Sequence, residues 1–244
     1  MDTTGHTMLI TGGASGIGFA LAQRFVEAGN TVVICGRRAD KLEEARSKSS
    51  ALRTHVCDLT DPAQRVELTD WAFREYPELD VLVNNAGIQN RLTLLEGPEW
   101  PPIHQEIATN LEAHIHLSTL FARRLTERPH SAIVNVTSGL AFVPRAAVPV
   151  YCATKAAMRS FTLSLRHQLA GTSVEVIEII PPAVDTDLGG VGLHTWGVPL
   201  DEFADSAFAQ LRDGKREVTY GFSVESMNAT AQEREALFDR MNSH

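Results

Sequence analysis

The feature that most constrains the fold is a regular alternation of short runs rich in Val and Ile with longer amphipathic runs. The short runs predict strands at residues 8–10, 31–35, 53–57, 81–84, 132–136 and 174–180. The longer runs predict helices at residues 17–28, 63–75, 103–127 and 151–169. Strands that are apolar along their whole length are typical of a parallel sheet covered by helices on both faces. With right-handed crossovers, the alternation predicts a doubly wound α/β fold.

The domain organisation follows from the length of 244 residues, which suits one α/β domain over residues 1–244. The regular pattern blurs after Pro181. Residues 189–200 are rich in glycine and are predicted to form a substrate loop. A helix near residues 203–213, a short strand near 217–220 and a last helix near 230–241 complete the pattern, with residues 221–244 as a C-terminal extension.

Composition excludes several classes of function. A net charge of −8 argues against nucleic acid or an anionic membrane as partner. The three cysteines have no CxxC spacing, and His114 and His116 are two apart on a helix and face different directions, so we expect no metal site. No secretory signal and no long apolar run is evident, which predicts a cytoplasmic protein. A small-molecule substrate is the expected partner.

A glycine-rich turn joins the first strand to the first helix, with the sequence Thr-Gly-Gly-Ala-Ser-Gly-Ile-Gly at residues 11–18. Gly12, Gly16 and Gly18 allow positive φ and close backbone approach. The N–H groups at the start of the helix then favour a pyrophosphate. This position predicts a dinucleotide site in a Rossmann-like fold.

The end of the second strand bears on the choice between NAD and NADP. An acidic residue usually stands there when a ribose 2′-hydroxyl is bound. Here Gly36 is followed by Arg37 and Arg38, and a guanidinium suits a 2′-phosphate. A solvated basic turn is the alternative. The residues favour NADP over NAD.

A tyrosine and a lysine, Tyr151 and Lys155, are four residues apart at the start of a helical pattern. That spacing places both side chains on one helical face. An ammonium nearby favours the phenolate, so we expect the pKa of Tyr151 to be lowered. Thr137 and Ser138 end the preceding strand and are competing candidates for the hydroxyl that faces the cleft, because side chains alternate along a strand.

With these motifs together, the chain resembles the short-chain dehydrogenase/reductase family over residues 7–188. The family's Asn-Asn-Ala-Gly segment falls on residues 84–87, and its catalytic tetrad falls on Asn110, Ser138, Tyr151 and Lys155. The resemblance implies a cofactor site formed by Gly12, Ser15, Gly16, Ile17, Gly18, Arg37, Arg38, Asp58, Asn85, Ala86, Gly87, Tyr151, Lys155, Val184 and Thr186.

The resemblance also implies a mechanism. Hydride moves between NADP(H) and a carbonyl or secondary alcohol while Tyr151 acts as general acid and base. Ser138 orients the substrate oxygen, Lys155 holds the nicotinamide ribose and lowers the pKa of Tyr151, and Asn110 kinks its helix. The runs at residues 140–144, 151–155 and 181–188 resemble the DltE-type oxidoreductases within this family, a name that does not establish a substrate.

One departure from the family pattern is Pro182, which replaces the usual glycine and puts the path of the pocket wall in doubt. The family resemblance implies a homodimer, or a homotetramer formed through the last strand unless the C-terminal extension covers that strand.

Two alternative functions remain open beside hydride transfer: a dinucleotide-binding accessory or regulatory protein without turnover, and an epimerase or dehydratase. In the substrate loop, residues 189–200, we expect His194 to face solvent.

Overall fold

A computed structural model describes residues 1–243 as one parallel sheet of seven strands with helices on both faces. The strands are β1 (Thr7–Thr11), β2 (Thr31–Gly36), β3 (Arg53–Val56), β4 (Val81–Asn84), β5 (Ser131–Val136), β6 (Val174–Ile180) and β7 (Glu217–Thr219). The order across the sheet is β3-β2-β1-β4-β5-β6-β7. The prediction of a doubly wound parallel sheet is confirmed.

The helices are α1 (Gly16–Glu27), α2 (Ala39–Lys48), α3 (Pro62–Glu75), α4 (Trp100–Ile107), α5 (Ala113–Leu125), α6 (Pro149–Gln168), α7 (Leu200–Arg212), α8 (Phe222–Asn228) and α9 (Ala231–Asn242). A π turn at Ala108–Glu112 joins α4 to α5. The single helix predicted over residues 103–127 is therefore two helices. Two further helices, α2 and α8, were not predicted. Within residues 1–243 no helix is long and apolar enough to cross a membrane.

The core has two layers, one on each face of the sheet. Alternation along β1 shows this directly, because Met8 and Ile10 pack with α1, α2 and α7, while Leu9 packs with α3, α5 and α6. β1 is thus apolar on both sides, as expected for a strand inside a parallel sheet covered by helices.

The sheet order reverses direction between β1 and β4, since β1 pairs with β2 on one side and with β4 on the other. In open α/β sheets, ligands bind outside the carboxyl ends of the strands at this point. The ends of β1, β4 and β5 and the start of α6 meet there.

Candidate active site

The turn after β1 is locked to the segment after β4 by the Thr11 hydroxyl. Its Oγ1 accepts from the backbone N–H groups of Asn85 at 2.9 Å and Ala86 at 3.0 Å. The Asn85 amide donates back to the carbonyls of Thr11 at 2.9 Å and Gly12 at 3.3 Å. Two segments singled out from the sequence, residues 11–18 and 84–87, therefore form one rigid unit.

Two glycines of this turn are required by packing as well as by any ligand. Gly12 has φ +64°, and a Cβ there would lie 2.8 Å from Ala86 Cα. A Cβ on Gly18 would lie 2.3 Å from the Asn85 amide nitrogen. Ser15 precedes α1 and makes no side-chain capping hydrogen bond, so its hydroxyl and the first N–H groups of the helix face outward. A phosphate group fits this helix start.

Two guanidiniums follow β2 and face solvent. Arg37 and Arg38 are exposed, and neither forms an ion pair within residues 1–243. Across the edge of the sheet, the Asp58 carboxylate accepts from the backbone N–H and the hydroxyl of Thr60, at 3.0 and 2.8 Å, which fixes its orientation. Unpaired guanidiniums beside a fixed carboxylate suit a nucleotide that carries a 2′-phosphate and an adenine amino group.

Asn110 lies in the π turn and is fully buried. Its Oδ1 accepts from Ile88 N at 2.9 Å, and its Nδ2 donates to Ile88 O at 2.8 Å. The amide thus pairs with the backbone of the segment after β4. A π turn inserts one residue into an α-helix and is frequent at functional sites.

Thr137 and Ser138 face opposite ways at the end of β5. The Thr137 hydroxyl donates to the buried Glu178 carboxylate at 2.7 Å, away from the cleft. The Ser138 hydroxyl accepts from Leu140 N at 3.1 Å and lies close enough to the Tyr151 phenol to lower its pKa. Of the two candidates, Ser138 is therefore the hydroxyl beside the tyrosine.

Tyr151 and Lys155 lie one turn apart on α6, and both are almost completely buried. Lys155 Nζ is 5.6 Å from the centroid of the Tyr151 ring and donates to Val136 O at 2.8 Å. Burial lowers the pKa of Lys155 to about 8. Burial also raises the pKa of Tyr151 above its usual value, and the nearby Ser138 hydroxyl only partly opposes this. The expectation of a lowered phenol pKa is therefore wrong for the protein alone, because the loss of hydration at the buried phenol dominates.

Two buried polar residues flank Asn110: Glu106 was not singled out in the sequence, and His114 was considered there only as a metal ligand. Glu106 accepts from the Asn90 backbone at 3.3 Å and from its amide at 3.1 Å, and borders a cavity of about 240 Å³. His114 lies against the Ala86 backbone without a well-formed hydrogen bond, and burial lowers its pKa to about 3, with the Lys155 charge contributing. Their spacing of four residues before and after Asn110 is the signal that could have revealed them.

The segment after β6 forms a loop closed at its base. Val184 and Val198 pair as a β-bridge, and the N–H of Val198 donates to Ala183 O at 2.9 Å. Thr186 lies beside the glycine turn, since a Cβ on Gly16 would be 3.4 Å from its methyl group. The expectation of a solvent-facing His194 is wrong, because its side chain is half-buried. Its ring centroid lies 6.1 Å from that of Trp196.

The double proline ends β6 without opening the cleft. The Pro181 carbonyl accepts from Gly139 N at 2.9 Å, which ties this segment to the residue after Ser138. Leu140 and Leu188 then pack on Val148, Tyr151 and Cys152 and form an apolar wall beside the phenol.

The C-terminal extension packs on the segment that follows Ser138. Asn242 on α9 donates to Pro144 O at 3.1 Å and accepts from Ala146 N at 2.7 Å. A Cβ on Gly139 would be 3.2 Å from the Ser223 side chain, and Arg234 lies 5.5 Å from the Phe142 ring. The extension thus supports the cleft wall, a contact that the sequence did not indicate.

Comparison with known proteins agrees with this geometry. A family model described as short chain dehydrogenase matches residues 6–192. The chain is 47% identical to an uncharacterized oxidoreductase, DltE, of Bacillus subtilis, over 99% of this chain and 98% of that protein. It is 31% identical to the NADP-dependent 3-hydroxy acid dehydrogenase YdfG of Escherichia coli K12, over 89% and 82% of the two chains.

Among solved structures, a short chain dehydrogenase from Burkholderia cenocepacia in complex with NADP superposes with a TM-score of 0.85 at 26% identity, covering 99% of both chains. Other structures of similar fold hold NADP(H) in several cases and NAD(H) in some. The chain belongs to the short-chain dehydrogenase family and is an oxidoreductase of that family.

Proposed function

We propose that this protein reduces a carbonyl compound, or oxidises the matching secondary alcohol, with NADP(H) as the hydride carrier and Tyr151 as general acid and base. The observation that carries the proposal is the meeting of three groups at the carboxyl edge of the sheet. The Ser138 hydroxyl is close enough to the Tyr151 phenol to lower its pKa, and the Lys155 ammonium lies one helical turn away. Such a cluster moves a proton and holds a polarised oxygen.

The chain's own residues account for the proton and the oxygen. Tyr151 donates its phenolic proton to the carbonyl oxygen, and Ser138 donates a hydrogen bond to the same oxygen as negative charge develops there. NADPH, when bound, supplies the hydride. A phenol whose pKa is raised stays protonated at neutral pH and therefore suits the donor role in reduction. The buried Lys155 ammonium favours the phenolate that remains.

The residues present fit a dinucleotide with a 2′-phosphate. The glycine turn and the start of α1 offer N–H groups to the pyrophosphate, and Arg37 and Arg38 offer guanidiniums without acidic partners in residues 1–243. The name of the related E. coli enzyme, which is NADP-dependent, supports the same preference. We therefore propose NADP(H) rather than NAD(H).

The test is a Tyr151→Phe variant, which keeps the ring and removes the proton. We expect kcat for NADPH-dependent ketone reduction to fall by ~10²–10⁴-fold, the usual contribution of a positioned proton donor, while NADPH binding is unchanged. Tyr76→Phe is the matched control, because it removes the same hydroxyl group from a tyrosine at the end of α3, whereas Tyr151 is on α6. Equal turnover in the wild type and the Tyr151→Phe variant would refute the role.

A further inference from the structure

Two arginines without acidic partners converge at the entrance to the cleft. Arg91 follows β4 and Arg145 follows β5, and their segments are joined by a hydrogen bond from Leu92 N to Ala147 O at 3.0 Å. Neither guanidinium forms an ion pair within residues 1–243. Burial lowers the pKa of His194, and the charges of Arg145 and Arg91 lower it further, so both guanidiniums lie near the His194 ring. The Asp185 carboxylate has a weaker, opposite effect there.

The backbone around Arg145 is fixed from two directions. Its N–H donates to Cys152 Sγ at 3.3 Å, and Cys152 follows the tyrosine in α6. The neighbouring Pro144 carbonyl and Ala146 N–H both pair with the Asn242 amide of α9, at 3.1 and 2.7 Å. The arginine is therefore held in position relative to the phenol before any ligand arrives, which lowers the entropy cost of binding.

The Arg145 side chain extends over the substrate loop. Its Cζ lies 5.8 Å from the Trp196 ring centroid, a cation–π distance, and no acidic side chain within residues 1–243 pairs with the guanidinium. The wall formed by Leu140, Val148 and Leu188 is apolar, so it offers no polar partner to a charged group of the ligand. In a chain with net charge −8, a preorganised cation without an acidic partner is a specific feature and not part of a general basic surface.

We propose that Arg145, assisted by Arg91, determines specificity by binding an anionic group, a carboxylate or a phosphate, at the end of the substrate remote from the reacting carbonyl. The inference rests on the proposed function, which places the carbonyl at Tyr151. An apolar segment of the substrate lies along the wall between the two ends. Asn242 is a positioning residue that acts through the Arg145 backbone.

The test compares matched charged and neutral probes with NADPH. The carboxylate arm uses 4-oxopentanoate and its methyl ester, and the phosphate arm uses dihydroxyacetone phosphate and dihydroxyacetone. We expect a charged probe to have the higher kcat/KM in the wild type. In Arg145→Gln its KM should rise about 10- to 100-fold, the loss expected for a charge-assisted hydrogen bond, while the neutral probe is unchanged. Arg145→Lys should recover part of the loss, and Arg74→Gln on α3 is the control.

A binding measurement separates this inference from the proposed function. Titration of 4-oxopentanoate or dihydroxyacetone phosphate into the protein with NADP⁺ is followed by tryptophan fluorescence, with Trp196→Phe to assign the signal. Binding that depends on Arg145 without any turnover would support the anion site and refute the proposed reaction. Turnover with equal constants for charged and neutral probes, or constants that Arg145→Gln leaves unchanged, would overturn the anion site alone.

The positioning role of Asn242 has its own readout. In Asn242→Ala the KM for the charged probe that the wild type prefers should rise several-fold, while kcat and the constants for the neutral probe stay the same. A merely structural effect would lower kcat for both probes together. That result would limit the proposal to Arg145 and remove the role of α9.

Discussion

At the scale of single residues, Lys155 is the most costly group in the cleft. Its ammonium is 3% exposed and has one hydrogen-bond acceptor in the structure, the Val136 carbonyl. Burial with so little compensation disfavours the charged form and lowers its pKa from 10.5 to about 8. The charged form of Lys155 therefore opposes folding at neutral pH.

This cost predicts a pH-dependent effect of Lys155→Met. The folded protein holds the ammonium below about pH 8, whereas the unfolded chain holds it up to 10.5. The unfolded state binds more protons between these values, so the penalty is full below pH 8 and is relieved as the pH rises. At pH 7 the variant should gain up to about 3 kcal/mol in free energy of unfolding, from 1.36 kcal/mol per pKa unit. Urea titrations without cofactor should show this gain shrinking between pH 8 and 10.

At each pH, the free energy of unfolding of the wild type is subtracted from that of the variant. This difference removes the effect of the buried cysteines, whose raised pKa values lower the stability of both proteins above pH 9. A gain that is constant with pH would contradict the assignment of a lowered pKa to Lys155.

The two arginines after β2 give a second prediction. Replacing Arg37 and Arg38 by Gln should raise the KM for NADPH about 10- to 100-fold and leave the KM for NADH unchanged, because only NADPH carries a 2′-phosphate. Steady-state kinetics with both cofactors measures this. Arg46→Gln, an exposed arginine on α2, is the matched control. Equal losses with both cofactors would mean that the arginines do not contact the 2′-phosphate.

At the scale of elements, the junction between α4 and α5 is held against the segment after β4 by one side chain. The π turn at Ala108–Glu112 brings the Asn110 amide onto the backbone of Ile88. Sequence periodicity could not reveal this turn, because residues 103–127 have apolar side chains on more than one face. A single inserted residue leaves no trace in such a pattern.

Removing the amide tests the junction. Asn110→Ala leaves the N–H and C=O of the half-buried Ile88 without partners, and each unpaired group costs up to about 1–3 kcal/mol. We expect a loss of about 2–4 kcal/mol in urea unfolding, together with reduced kcat. Asn228→Ala, which removes an exposed side-chain bond on α8, should change neither quantity by more than a few tenths. Unchanged stability in Asn110→Ala would show that the junction does not depend on this pair.

The two helices that the sequence did not predict have a common reason. Helix α2 buries only Leu42 and Ala45, and α8 buries only Ser223 and Ser226. A helix that buries small or few side chains produces no apolar stripe for periodicity to detect. By contrast, α1 and α6 each bury a continuous face, and their predicted positions agree with the structure to within a few residues.

At the scale of the whole molecule, the sequence predicted the features that follow from the order of strands and helices along the chain. The parallel sheet and the meeting of strand ends follow from alternation and handedness, which bring the residue 11–18 and 84–87 segments and Tyr151 to one edge. What the sequence could not predict depends on packing between distant segments. The raised pKa of Tyr151 arises from burial, and the contact of Asn242 with the segment near Arg145 joins the chain's last helix to its middle.

Assembly is a prediction at this scale. Helix α6 presents an outward stripe of small and apolar side chains, Ala153, Ala156, Ser160 and Leu163. Such a flat face suits the same helix of a second subunit. We expect light scattering to give about twice the chain mass of 26.7 kDa. Ala156→Arg should shift the mass to that of one chain, whereas Ala231→Arg on α9 should not. A wild type that elutes with the mass of one chain would exclude the dimer.

The β-bridge between Val184 and Val198 has a consequence for how this scaffold can change. The bridge joins the two ends of the loop between β6 and α7. We therefore expect that residues within the loop can be replaced by a segment of different length without changing the path of the chain from β6 into α7. We expect ligand range and thermal stability to be separately adjustable in a library confined to residues 189–193, which leaves Leu188, His194 and Trp196 in place.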